Sequence, residues 1–137
     1  MTDLSIHLGL VGVILLGLGA VHVVLPRTLR WREDLAGASA LNQEVSYVHC
    51  YFIGLACLLW GLLPLTAGQA LLEPNPVTRL VLLGAVAFWA SRLVIQLAVF
   101  NHHARESRRW WMASAAGTAL WLYLTAVWTW ALAAQFG

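Results

Sequence analysis

Four long, mostly apolar stretches occupy nearly the whole chain, at about residues 4–25, 45–68, 77–100 and 111–134. Because roughly 20 helical residues cross the ~30 Å hydrocarbon core of a bilayer, each stretch predicts a transmembrane helix. Only 10% of the 137 residues are charged, whereas a soluble domain has about a quarter. The sequence therefore predicts an all-α integral membrane four-helix bundle, with residues 1–137 forming one domain.

The arginines predict how these segments are oriented. The chain has no lysine, and its basic residues concentrate in the first and third connections, at Arg27, Arg30, Arg32, Arg105, Arg108 and Arg109. Basic connections remain on the cytoplasmic side of a membrane. We therefore expect both termini on the outer, non-cytoplasmic side, and we expect the chain in the cytoplasmic (inner) membrane of a bacterium.

Several residues mark the predicted helix ends. Pro26 is expected to end the first helix because proline cannot continue one. Asn42 is expected to cap the second helix, and Ser107 the fourth, since their side-chain oxygens can accept from free backbone N–H groups. The connection over residues 26–43 is long enough for a short helix in the headgroup region.

The eight tryptophans divide into two groups. Six lie near segment ends and predict an aromatic belt at the two membrane surfaces: Trp31, Trp60, Trp110, Trp111, Trp128 and Trp130. Trp89 and Trp121 fall in mid-membrane. Their large rings are expected to fill the protein core or to pack outward against a partner protein.

The histidines are the strongest functional indication in the chain. His22 closes the first segment, His49 opens the second, and His102 and His103 end the third. The order of the helices therefore brings them to one depth near the same membrane surface, and a histidine within the membrane is costly and often functional. His7 is alone near the opposite surface, and we expect it either to be structural or to face the lipid headgroups.

Arg92 extends this polar group into the membrane. It lies about 12 Å of helix rise inside the end of its segment, and helical periodicity places Gln96, Val99 and His103 on the same face. An intramembrane arginine needs a partner. One expectation is that Arg92 has a functional role in the pocket. The alternative is that its side chain extends to the membrane surface or forms a structural ion pair with Glu44.

Together these residues predict a polar pocket on the cytoplasmic side. Its cofactor-binding residues are expected to be His22, His49, His103, Arg92 and Gln96. Asn42, Glu44, Tyr47 and His102 are expected to line its mouth. Neutral imidazole is the commonest metal ligand, and helices of a bundle often hold cofactors between them. We therefore expect haem or a transition metal, with His22, His49 and His103 as the metal ligands.

Two other functions remain open. The chain can be a non-catalytic accessory subunit whose polar residues contact larger membrane proteins, or a protein that binds a lipid or quinone through Arg92 and Gln96. The sequence assigns no catalytic residue and leaves open whether the chain is an enzyme. Its expected partners are membrane lipids and either other membrane proteins or further copies of itself. The positions of the arginines are explained by membrane topology, so no nucleic-acid partner is expected.

The acidic residues and the cysteines exclude some chemistries. All six carboxylates lie in connections or at segment ends, which disfavours a proton-coupled transporter. No Glu-x-x-His pair occurs, which disfavours a ferritin-like di-iron site. Cys50 and Cys57 are about two helical turns apart, beyond disulfide reach, and are expected to be buried free thiols.

Overall fold

The computed structural model describes residues 3–101 and 107–136, and over this part of the chain it contains helices and turns but no strand. The predicted all-α class is thus confirmed. The helices are α1 (Asp3–Thr28), α2 (Trp31–Asp34), α3 (Ala40–Ala67), α4 (Pro76–Ile95) and α5 (Arg108–Ala133). A 3₁₀ turn covers Ala70–Leu72, and a π-helical turn over Gln96–Phe100 extends α4.

Four helices are long and apolar enough to cross a membrane, as predicted: α1, α3, α4 with its π-helical extension, and α5. The short helix expected in the first connection is α2. The third helix of the chain, α3, begins at Ala40 rather than near residue 45. α3 is about one turn longer at its start than predicted, because the residue that caps it lies earlier in the chain than the predicted cap, Asn42. The orientation in the membrane stays a prediction.

Two helix ends differ from the predictions. Ser39, and not Asn42, caps α3: the Ser39 hydroxyl accepts from the backbone N–H of Asn42 at 3.3 Å. At the start of α5, the Ser107 hydroxyl accepts from the Trp110 N–H at 3.3 Å, so that predicted cap is confirmed. α1 continues past Pro26 to Thr28. A proline in the last turn removes only one helical hydrogen bond, and therefore does not have to end the helix.

The chain divides into two compact units. The first unit is Gly9–Ala67, and the second comprises residues 3–8, 68–101 and 107–136. In the first unit α1 and α3 run antiparallel and touch through paired glycines. A Cβ atom on Gly61 would lie 2.9 Å from the Gly12 carbonyl oxygen, and one on Gly19 would lie 3.0 Å from that of Gly54. Only glycine permits backbones to approach so closely.

The second unit is built on α4 packed against α5. Trp89 and Trp121 stack with parallel rings whose centroids are 5.8 Å apart, and they are 1% and 8% exposed. The alternative in which these rings pack outward against a partner is therefore wrong. Trp128, predicted in the outer belt, is 0% exposed, so its ring packs inside the protein and does not face outward as a belt residue would. Whether a tryptophan faces the core or the outside depends on the rotation of its helix about the helix axis. The position of a residue along the helix does not reveal that rotation.

Candidate functional site

His22 on α1 and His49 on α3 have the same local hydrogen-bonding pattern. Nδ1 of His22 lies 2.7 Å from the Leu18 carbonyl oxygen, and Nδ1 of His49 lies 2.9 Å from that of Val45. A carbonyl oxygen only accepts, so each Nδ1 carries the proton. Nε2 is the nitrogen left for a ligand on each ring, and neither Nε2 hydrogen-bonds to any residue in the described part of the chain.

Both imidazoles line one groove of the first unit. Its volume is about 360 Å³, and the other lining residues are Leu25, Trp31, Val45, Ser46, Cys50 and Ile53. Most of this wall is apolar. His22 is half-buried and His49 is exposed. The groove thus combines two imidazole rings with a mostly apolar surface.

A second cleft of the same unit adjoins this groove. It measures about 400 Å³, and it shares His22 and Cys50 with the groove while adding Tyr47 and Tyr51. Of the residues predicted at the pocket mouth, Tyr47 therefore lines this cleft, whereas Asn42 and Glu44 line neither space. His102 lies outside the described residues. His22 and Cys50 thus line both spaces.

The turn between α1 and α2 brings Trp31 to this groove. Arg30 has φ 54° and ψ 37°, a left-handed conformation that L-residues rarely adopt. The chain reverses there, and Trp31 begins α2 with its ring 5.8 Å from that of Tyr47 in an edge-to-face contact. Such aromatic pairs stabilise by about 0.5–1.5 kcal/mol beyond burial. The contact fixes α2 on α3 and closes one side of the groove.

The predicted three-histidine metal site lacks support in this structure. His103 lies outside the described residues. Among residues 3–101 and 107–136, no three His, Cys, Asp or Glu side chains come together as a group that could hold a metal ion. The described residues that line the groove include two imidazoles, from His22 and His49, and the thiol of Cys50.

Arg92 and Gln96 belong to the second unit and form a candidate site of their own. Nη1 of Arg92 donates to Oε1 of Gln96 at 3.4 Å, and Nε1 of Trp121 donates to the same oxygen at 3.3 Å. The guanidinium carbon lies 4.5 Å from the centre of the Trp121 ring and 5.2 Å from that of Phe100. These cation–π contacts stabilise the charge.

The guanidinium of Arg92 has no ion-pair partner within the described part of the second unit. The ion pair that the structure shows is an exposed one between Arg30 and Glu33 in the first unit. An arginine within a membrane span normally pairs with an acid or a carbonyl oxygen. Here the side-chain amide of Gln96 and two aromatic rings take that place.

A π-helical turn changes the face that these residues share. Helical periodicity predicted Val99 beside Arg92 and Gln96, but Val99 is 49% exposed whereas Gln96 is 5% exposed. In a π turn the backbone hydrogen bonds join residues i and i+5. The residue on the same side of the helix as residue i is then nearer to i+5 than to i+3 or i+4. Accordingly Asn101, five residues after Gln96, reaches α5 and accepts from the hydroxyls of Ser114 and Thr118.

Sequence reasoning missed three members of these sites: Trp31, Cys50 and Trp121. Trp31 was assigned to the membrane surface and Trp121 to the core, on the basis of depth alone. The adjacency of Cys50 to His49 was the one available signal for the thiol. The predicted pocket draws His22 and His49 from the first unit and Arg92 and Gln96 from the second. The structure thus offers one candidate site in each unit.

Comparisons with models of protein families, with curated proteins and with solved structures gave no match. The functional argument therefore depends on the chemistry of these two sites.

Proposed function

We propose that this chain is a haem-binding redox protein of the membrane, in which His22 and His49 would hold the haem iron. One observation carries the proposal: both imidazoles line the same groove, and both have Nδ1–H bonded to a carbonyl of their own helix. This arrangement leaves two Nε2 lone pairs facing no protein donor in the described residues.

The hydrogen bonds at Nδ1 suit the ligand role. Histidines that bind metals almost always donate their other ring N–H to a carbonyl or carboxylate, which fixes the tautomer and raises the basicity of the ligating nitrogen. The carbonyls of Leu18 and Val45 supply this support for His22 and His49. The two rings are therefore oriented before any ligand arrives.

Haem fits this site better than a bare metal ion does. The porphyrin provides the equatorial ligands of the iron, so the protein has to supply only the axial ones. A zinc or copper ion needs three or four protein ligands, and the described residues bring no such group together. Leu25, Val45 and Ile53 give the groove apolar walls that would suit the face of a macrocycle.

The bound haem would supply one-electron transfer, and the protein's own residues would determine where and how tightly it is held. Trp31 closes one side of the groove through its contact with Tyr47. Ser46 is a polar lining residue, and its hydroxyl donates to the backbone carbonyl of Asn42 at 2.8 Å. Membrane lipids would surround the remaining apolar surface.

The test is reconstitution of the whole chain with haem. The protein is produced with added haem and purified in detergent, and its absorption spectrum and haem-to-protein ratio are measured. We expect one haem per chain and a large loss of haem in His22→Ala and in His49→Ala. His7→Ala is the matched control, because His7 bonds to Tyr123 in the second unit and its loss should leave the haem content unchanged.

Two results would contradict the proposal. One is a colourless protein despite added haem, and the other is equal haem loss in the His7→Ala control. A colourless protein with a stoichiometric bound metal would favour a metal site that recruits His103. A colourless, metal-free chain that co-purifies with larger membrane proteins would favour the accessory-subunit function.

A further inference from the structure

We propose that Arg92 and Gln96 form a second binding site, which takes the oxyanion headgroup of an amphiphile: a carboxylate or phosphate on an acyl chain. This site lies in the second unit and is independent of the haem proposed for the first. Three features of the described residues carry the proposal: hydrogen-bond donors without an acceptor, a charge without a counter-ion among those residues, and a cavity lined by Gln96.

The unused hydrogen-bonding groups of this site are all donors. Oε1 of Gln96 already accepts from both Arg92 and Trp121, so the carbonyl end of the amide is occupied. Its NH₂ group has no acceptor in the described part of the chain, and most of the guanidinium N–H groups have none either. Neither an amide NH₂ nor a guanidinium can accept a hydrogen bond. The missing group is therefore an acceptor.

The charge of Arg92 makes that acceptor an anion. Trp121 and Phe100 stabilise the guanidinium through their ring faces, but an aromatic ring supplies only part of what a carboxylate or phosphate supplies. Arg79, the other arginine of α4, is different. It lies in the first turn of that helix, and its Nη2 donates to the backbone carbonyl of Gln135 at 3.0 Å. Among the described residues, Arg92 has no backbone carbonyl of this kind, and its oxygen partner is the side-chain amide of Gln96.

A cavity beside Gln96 gives such an anion an apolar neighbour. It has a volume of about 180 Å³, and Gln96, Phe100, Trp110, Ala113 and Ser114 line it. The Ser114 hydroxyl already donates to Asn101. Gln96 thus provides the polar end of the cavity, while Phe100, Trp110 and Ala113 provide apolar surface. Gln96 and Phe100 are also the first and last residues of the π-helical turn, a feature frequent at functional sites.

This combination of polar and apolar surface identifies the class of ligand. A free inorganic anion would use the donors of Gln96 and Arg92 but not the apolar wall. A neutral lipid tail would use the wall but leave the charge unmatched. An anionic amphiphile satisfies both, and membranes supply it either as an acidic phospholipid or as a fatty acid.

The test is native mass spectrometry of the full chain after its release from lipid nanodiscs. Three compositions are compared: phosphatidylcholine alone, phosphatidylcholine with phosphatidylglycerol, and phosphatidylcholine with oleate. We expect one retained anionic amphiphile per chain, and the preferred composition identifies phosphate or carboxylate as the headgroup. Arg92→Gln should weaken retention by about tenfold or more, since it removes a charge-assisted hydrogen bond.

Two further variants keep the test decisive. Gln96→Met removes the amide donors at similar volume and should also weaken retention, so the proposal stays testable even where Arg92→Gln fails to fold. Arg79→Gln is the control and should retain the amphiphile as the wild type does. Equal retention in Arg92→Gln and Gln96→Met, or retention of phosphatidylcholine as strong as that of the anionic amphiphiles, would overturn the proposal. The readout involves no haem, so its failure leaves the function proposed for His22 and His49 untouched.

Discussion

The thiol of Cys50 on α3 donates to the backbone carbonyl of His22 on α1, with 3.5 Å between sulfur and oxygen. In an uninterrupted helix that carbonyl would accept from the N–H of residue 26, but Pro26 has no N–H. An unsatisfied carbonyl in a bilayer costs several kcal/mol. Cys50 therefore compensates, from a neighbouring helix, for a proline placed one turn after a candidate haem ligand.

Removing this donor should destabilise the first unit. We expect Cys50→Ala to lower the free energy of unfolding by about 0.5–1.5 kcal/mol relative to Cys50→Ser, whose hydroxyl can still donate to the His22 carbonyl. Equilibrium unfolding in mixed micelles measures the difference. Cys57→Ala is the control, because Cys57 is equally buried but makes no hydrogen bond with the described residues. A Cys50→Ala variant as stable as Cys50→Ser would show that the thiol is a packing group only.

The glycine contact between α1 and α3 should not tolerate a methyl group. A Cβ on Gly61 would meet two backbone atoms, the Gly12 carbonyl oxygen at 2.9 Å and the Leu16 nitrogen at 3.0 Å. Because backbone atoms cannot rotate away, we expect Gly61→Ala to cost about 1–3 kcal/mol in unfolding free energy. Gly17 has nothing within 4 Å of its would-be Cβ. Gly17→Ala should be neutral or stabilising by up to about 1 kcal/mol, and a similar loss in both variants would refute the close contact.

The hydrogen bond from Trp121 to Gln96 should contribute to the stability of the second unit. Trp121→Phe keeps an aromatic ring against Trp89 and Arg92 but removes the Nε1–H donor to Gln96. We expect a loss of about 0.5–1.5 kcal/mol in unfolding free energy. Trp111→Phe changes an exposed ring and should have almost no effect. Equal stability of the two variants would show that the hydrogen bond from Trp121 to Gln96 does not stabilise the second unit.

The orientation can be tested by cysteine labelling in cells. In a Cys50→Ser, Cys57→Ala background, a membrane-impermeant thiol reagent should label Glu73→Cys in intact cells, because that connection is expected outside. Asp34→Cys should react only after permeabilisation, since its connection carries arginines that favour the cytoplasm. The reverse pattern would invert the topology, and with it the side on which the histidine groove opens.

The four spans were predictable because apolar length is a property of sequence alone. Residues 4–25 and 111–134 were predicted, and α1 and α5 cover Asp3–Thr28 and Arg108–Ala133. Local capping was partly predictable. Ser107 was identified correctly, whereas Ser39 and Asn42 are both good caps three residues apart, and propensity does not choose between them.

The rotation and winding of the helices were not predictable. No residue in Gln96–Phe100 is specific for a π-helical turn, so the sequence does not predict it. In the structure this turn occurs where Gln96 and Asn101 contact α5. The stacking of Trp89 on Trp121 also depends on how α4 and α5 face each other. Depth along a helix indicated that His22 and His49 lie at similar levels, but only the structure shows that they share a groove.

The most direct measurement of the central claim is low-temperature electron paramagnetic resonance of the oxidised, haem-supplied chain. Two imidazole ligands predict a low-spin iron signal in the wild type, and His49→Ala should convert it to a high-spin signal or remove the haem. The same change is expected for His22→Ala. A low-spin signal that survives both substitutions, or a wild-type chain with no haem iron signal, would contradict the assignment of His22 and His49 as ligands.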